Sequence, residues 1–363
     1  LVTSSNTQSA SESYRGLQYP LGRGFFPEPQ KPYEIAEGVY WVCMPMPGNP
    51  DHINLWLLED GDGWTVVDTG MNIPSMRDIW EQLFEGFMKG KPVKRVIVTH
   101  LHPDHIGLAG WMTRRFDCRL WISREEYMMC KAMVTDTGKP APDVAINFYK
   151  AAGVGEEVLE RYRQRFGHFG EMISPLPDSY RRLKNGETIE INDRYWQVIV
   201  GSGHSPEHVL LYCPALKILI SGDQILPRET SNVSVMPPEP DSDPLDEWMA
   251  SCANIREQMP GNVLVLPAHE EPFKGVGVRL TQLIEFHKDK LSQLFNLVDE
   301  PKQVVECFPA VFRREISGGA TLPAVGETLA HLNSLIQRRM VMRQENPDGV
   351  DTYLQLPDAC KFE

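Results

Sequence analysis

From about residue 33 the chain alternates short apolar runs with turn residues: V-Y-W-V-C, I-N-L-W-L-L-E and W-T-V-V-D, the last two joined by E-D-G-D-G-W. Runs of this length, bounded by Gly, Asn, Asp and Pro, predict strands and a hairpin. After Asp68 the spacing turns helical to about Lys89, and R-V-I-V-T is the next strand, so a β meander passes into β-α-β. Residues 124–170, rich in Met and long polar side chains and broken by G-K-P-A-P-D, predict several helices inserted between two strands. Strands resume at E-T-I-E-I, Y-W-Q-V-I-V-G, V-L-L-Y-C and K-I-L-I-S-G-D and, after the helix D-P-L-D-E-W-M-A-S-C, at N-V-L-V-L-P-A-H. Beyond about residue 276 the pattern is helical to about Val341 and closes on a hairpin-like M-R-Q-E-N-P-D-G-V-D-T-Y-L. Residues 1–32, Ser-, Gly- and Pro-rich with neither period, predict an arm or a disordered leader.

Composition narrows the class. A chain of 363 residues can build one large domain and a smaller appendage. No apolar run reaches the roughly 20 residues that span a bilayer, and the first residues lack the basic-then-apolar order of a secretory signal. Seven cysteines, at 43, 118, 130, 213, 252, 307 and 360, form no C-x-x-C pair, which suits a reducing, cytoplasmic setting better than a disulfide framework. The net charge of −13 opposes broad nucleic-acid binding. A small-molecule substrate is the expected partner, no membrane is, and a homodimer is an assembly left open.

The chemistry sits at the ends of the strands. V-V-D68-T-G, V-I-V-T-H100-L-H102-P-D104-H105, V-I-V-G-S-G-H204, I-L-I-S-G-D223 and V-L-V-L-P-A-H269 each deliver His or Asp at a carboxyl end, where α/β sheets carry their ligand loops. Three histidines and an aspartate within six positions rarely all reach one ion. In an extended chain His100, His102 and Asp104 face one side and His105 turns away, which divides the cluster between two centres. His204 then joins His100 and His102, His269 joins Asp104 and His105, and Asp223 can bridge both ions.

These motifs, in this order, resemble the metallo-β-lactamase fold superfamily, and specifically its glyoxalase II-like hydrolase branch, over roughly residues 33–280. The resemblance implies an αββα sandwich, two mixed β-sheets packed face to face with helices outside and metals at one edge. It implies two Zn2+ per chain, with Fe or Mn as the alternatives, and a bridging hydroxide that cleaves an ester, thioester or lactone. Residues 281–363, with G-E-T-L-A-H-L-N-S-L-I-Q-R-R-M-V before a turn, are similar to the small winged-helix appendage of some members. Some relatives with that appendage cleave RNA, so a phosphodiesterase or ribonuclease is a competing reading. Sulfur dioxygenases of the same fold, with a single iron, resemble this motif set too, and a non-enzymatic binding module built on the winged helix would leave the ligand set unused.

The remaining candidates have narrower roles. Asp104 and Asp223 are the expected catalytic carboxylates, Asp104 as a proton relay to the leaving group. Asp68 and His208 are expected to hold the ligands by hydrogen bonds. His52 on its hairpin loop, and Tyr127, Met128 and His168 in the insertion, are the candidate substrate contacts. His287 and His331 fall in helical segments and are expected on solvated faces, as are the Arg pairs at 313 and 338.

Overall fold

The computed structural model describes residues 11–357. Cys360 and the first ten residues of the expected arm lie outside the described residues.

Two mixed sheets form the centre. The seven-stranded sheet runs Tyr33–Ala36, Val39–Pro45, His52–Asp60, Gly63–Val67, Val93–Ile97, Arg119–Ile122 and Arg181–Arg182. Its first four strands are an antiparallel meander and the rest pair in parallel. The eight-stranded sheet is built around Thr188–Ile191, Arg194–Gly201, His208–Cys213 and Ile218–Gly222, continued by Leu264–Pro267 in parallel. Between the sheets lies a dry layer of Trp41, Trp56, Val67 and Ile97 against Trp196, Val209, Leu211, Ile220 and Leu266. Alternation along each strand puts these side chains inward and sends their neighbours to the helices outside.

The outer face of the seven-stranded sheet packs on helices Pro74–Glu85 and Ala109–Phe116 through Trp80, Leu83, Val96 and Met112. The outer face of the other packs on Pro244–Gln258, Val276–Leu297 and Thr321–Gln337 through Trp248, Leu291, Leu329 and Leu332. This is the expected αββα sandwich. The region 124–170 is helical as expected, in four pieces: Arg124–Thr135, Asp143–Ala151, Glu156–Arg165 and Phe169–Met172. No helix among the described residues is long and apolar enough to cross a membrane.

Three expectations need correction. Within the supposed leader, Glu12–Tyr14 and Leu17–Tyr19 form a hairpin that adds to the eight-stranded sheet beside Lys274, and Phe25 and Phe26 lie against Trp41. The strands are too short for a period to show, and their turn relies on left-handed Arg15 and Gly16. The stretch after 276 is not one helical run: it stops at Leu297, and Pro301, Pro309 and the Gly318-Gly319 pair leave short turns before Thr321. His287 and His331 are fully buried rather than solvated, Nδ1 of one 3.1 Å from Nε2 of the other, because both helices are covered on more than one face.

Candidate metal centre

The parallel pairing of Gly63–Val67 with Val93–Ile97, and of Ile218–Gly222 with Leu264–Pro267, aligns four strand ends at one rim. The fifth, Gly201, turns into the same rim through Gly203 at φ 96°. There the side chains gather in two groups. His100, His102, His204 and Asp223 bring donor atoms within 4.8 Å of one another, and so do Asp104, His105 and His269. The second group forms differently from the expected alternation: the chain is extended only to His102, and Asp104 and His105 share the first turn of the short helix Pro103–Ile106.

Hydrogen bonds decide which nitrogen each ring presents. His100 Nδ1 donates to Thr99 Oγ1 at 3.1 Å, His105 Nδ1 to Asp68 Oδ2 at 2.8 Å, His204 Nδ1 to the Asn232 carbonyl at 2.7 Å and His269 Nδ1 to the His52 carbonyl at 2.8 Å. With Nδ1 engaged in this way, Nε2 is the atom each of these rings has left for a metal. Nε2 of His100 and His204 then stand 3.3 Å apart, and His102 Nδ1 lies 2.9 Å from the former. The two Nε2 lone pairs repel at that range unless a cation sits between them, while His102 Nδ1 is within hydrogen-bond distance of His100 Nε2. His105 Nε2 and Asp223 Oδ1 are moreover buried with no hydrogen-bond partner, a costly arrangement that a metal ion relieves. The donor set fits divalent metal: imidazole nitrogens and carboxylate oxygens, held from behind.

Charge follows the same division. Burial, with His105 and His102 adding repulsion, drives His100 well below the usual imidazole range, and burial takes His102 down to about 3. Around the other group burial is overcome by Asp104, Asp223 and Asp68, which lift His105 well above its ordinary value; Asp223 and Asp104 lift His269 to about 10. Protons on these two rings occupy the place a divalent ion would take, and metal binding would release them.

Asp68 anchors the rim. Its Oδ1 accepts the Thr99 N–H and its Oδ2 the Thr99 hydroxyl, each at 2.8 Å, besides His105. His208 Nε2 accepts the Asp223 N–H at 3.1 Å, and its ring stacks on His100 with centroids 4.6 Å apart. Both residues thus brace the cluster from behind. His52 is not free to meet a substrate with its ring nitrogens: Nδ1 donates to Asp51 and Nε2 accepts the Glu270 N–H. Tyr127 is buried, its hydroxyl spent on the Pro177 carbonyl and its ring stacked on Tyr180. Met128 is among the exposed apolar side chains, and His168 precedes the short helix Phe169–Met172; neither has a described contact with the donors.

Several bracing groups were missed by sequence reasoning. Asn54 takes the Trp41 indole N–H and gives to the carbonyls of Pro267 and Glu270, fixing the loop of His269. Arg228 bridges Glu270 and Glu271, and Glu271 accepts the Gly24 N–H from the N-terminal segment. Glu126 is buried and driven up to about 7 by that burial, against the backbone N–H groups it accepts. Asn232 is held by Glu327 of helix Thr321–Gln337, whose Gly326 carbonyl takes the Val235 N–H. Most of their partners are distant in sequence, which no local pattern marks.

With this geometry in place, the profile of the "Metallo-beta-lactamase superfamily" matches residues 48–269, well over half of the chain. The chain belongs to the metallo-beta-lactamase superfamily. A second profile, "Metallo-beta-lactamase-like, C-terminal domain", matches residues 291–356. A beta-lactamase domain protein from Burkholderia ambifaria is 37% identical with a TM-score of 0.86, the match covering 94% of this chain and 98% of that one. The Bacillus subtilis protein named "Probable metallo-hydrolase YqjP" is 23% identical across 83% of this chain and 92% of its own length. The human "Acyl-coenzyme A thioesterase MBLAC2" is 21% identical across 66% of this chain and 80% of its own. This superfamily member is an enzyme, a metallo-hydrolase.

Proposed function

We propose that the enzyme is a hydrolase with two divalent ions, zinc first among them, and that it cleaves a carboxylic thioester, ester or lactone. His100, His102 and His204 would hold one ion, Asp104, His105 and His269 the other, with Asp223 between. The observation that carries this reading is the split of Asp223. Its Oδ1 lies 3.5 Å from Nε2 of both His105 and His269, while its Oδ2 lies 3.6 Å from His204 and 4.0 Å from His100. One carboxylate therefore faces both donor groups, as a bridge must.

When bound, such ions polarise a substrate carbonyl and lower the pKa of water from about 16 towards 7, so hydrolysis needs no dedicated general base. The chain supplies geometry. Asp68, Thr99, Asn232 and the His52 carbonyl hold His105, His100, His204 and His269 with Nε2 turned inward. Asp104 Oδ2 lies 3.3 Å from His269 Nε2, and the neighbouring His105 and His269 keep its carboxyl ionised against burial, as a metal ligand would need. Thioesters head the substrate classes because the human relative is named an acyl-coenzyme A thioesterase.

Elemental analysis of protein purified without added metal should approach about two ions per chain. A panel of thioesters, esters, lactones and phosphodiesters, run in labelled water, should place solvent oxygen in the acid product. Oxygen-dependent turnover of a persulfide, with one iron and no hydrolysis on the panel, would replace this reading with the dioxygenase one.

A further inference from the structure

We propose that Glu126 is a positioning residue of the metal centre, its carboxylate clasping together the two loops that carry His100, His102 and His204. Glu126 lies in the first turn of helix Arg124–Thr135 and is completely buried. Its Oε2 accepts the N–H of Leu101, the residue between His100 and His102, at 2.9 Å. Its Oε1 accepts the N–H of Glu207, between His204 and His208, also at 2.9 Å. The first loop follows a strand of the seven-stranded sheet and the second precedes a strand of the eight-stranded one, so no ladder joins them. Beside the Val209 N–H to Thr99 carbonyl bond and the His208 ring stacked on His100, Glu126 is a side chain that hydrogen-bonds the backbone of both loops.

The contact is reciprocal. Glu207 Oε2 accepts the N–H of Glu125 at 2.9 Å, satisfying one of the helix-start donors that the N-cap residue Ser123 leaves unmet. Each glutamate thus caps backbone on the other's segment, a capping box closed between parts of the chain about 80 residues apart. The two N–H donors here meet different oxygens, and a carboxylate offers two acceptor oxygens where a carboxamide offers one. Glu126→Gln would turn an N–H2 group towards one of the two amides and push its loop away. The inference rests on the proposed metal centre, since it concerns how three of that centre's donors are held.

The test is zinc titration of the full-length, metal-stripped protein, with chelator competition to resolve two binding phases, alongside kcat and KM on the best panel substrate. E126Q should weaken the phase belonging to the three-histidine group by about tenfold or more, the scale on which supports behind ligands act. The other phase should hold, and kcat should fall with KM near the parent value. Cys130→Ala, a buried change on the same helix, should lower Tm and leave both zinc phases alone. Glu126→Asp, one methylene short, should act like E126Q and decides the matter if E126Q does not fold. In the parent, hydrogen exchange at Leu101 and Glu207 should be slow. Folded E126Q or E126D binding both ions as the parent does, C130A weakening zinc equally, or fast exchange at those two amides would each overturn the clasp. A parent that binds zinc but hydrolyses nothing overturns the proposed function alone, and the affinities still decide Glu126; a parent that binds no zinc overturns both.

Discussion

Asp68 stands just past its strand at a left-handed φ of 60°, and that backbone brings both carboxylate oxygens under the Thr99–His105 turn. Asp68→Asn puts an amide N–H2 where at least one donor now points, so His105 loses its fixed tautomer. Metal affinity at the Asp104–His105–His269 group should drop by roughly 10- to 100-fold, read by competition with a chelator. Asp104→Ala should release the same ion and spare the other, because His100, His102 and His204 remain; equal loss of both ions would contradict the division. The cysteines make a contrasting case. Burial pushes Cys43, Cys130 and Cys307 up to about 12 and Cys118 to about 11, so their thiolates are scarce at neutral pH. A thiol reagent at pH 8 should find these four slow in the native protein and fast after unfolding. The histidines and aspartates were legible because five strand endings in one sequence carry the same residue types. Glu126, Asn54 and Asn232 were not: each is an ordinary polar residue locally, and its role exists only when a partner distant in sequence arrives.

Elements show the same boundary between local and distant information. The inner strands were readable because apolar runs are bounded by turn residues, as in the nine-residue His52–Asp60. The three-residue strands of the N-terminal hairpin carry too few positions for any period, and the burial of His287 and His331 depends on which faces neighbouring helices cover. Gly203 shows how an element can hold a donor. A Cβ there would meet Trp248 Cβ at 2.3 Å, and its φ of 96° belongs to glycine, so helix Pro244–Gln258 packs directly on the turn before His204. Gly203→Ala should cost about 1–3 kcal/mol in chemical denaturation through overpacking and strain. Because His204 is the next residue, zinc at its group should weaken in the same variant. Wild-type stability in that variant would mean that the turn has room the described packing denies it.

At the scale of the whole molecule, one cluster runs from the N-terminal hairpin through the eight-stranded sheet into the C-terminal helix. Leu17, Tyr19, Trp248, Leu291, Leu332 and Tyr353 all belong to it. The match to the C-terminal profile at 291–356 therefore marks a stretch that shares its core with the rest. Thermal unfolding followed by circular dichroism and by tryptophan fluorescence should coincide in one transition. Two separated transitions would show the C-terminal part unfolding alone. The donors themselves are contributed from His100 to His269, nearly half the chain apart, and they meet only through the parallel pairings that align the strand ends. Long-range pairings of this kind form late, because the intervening loops must close before the contacts reward them. An ion that needs both His100 and His204 cannot seed the collapse that creates its own seat. Binding of the proposed ions would therefore follow the pairings that assemble their donors. Metal-stripped protein should then keep its circular-dichroism spectrum, and returning a divalent ion should refill the site without passing through the unfolded chain.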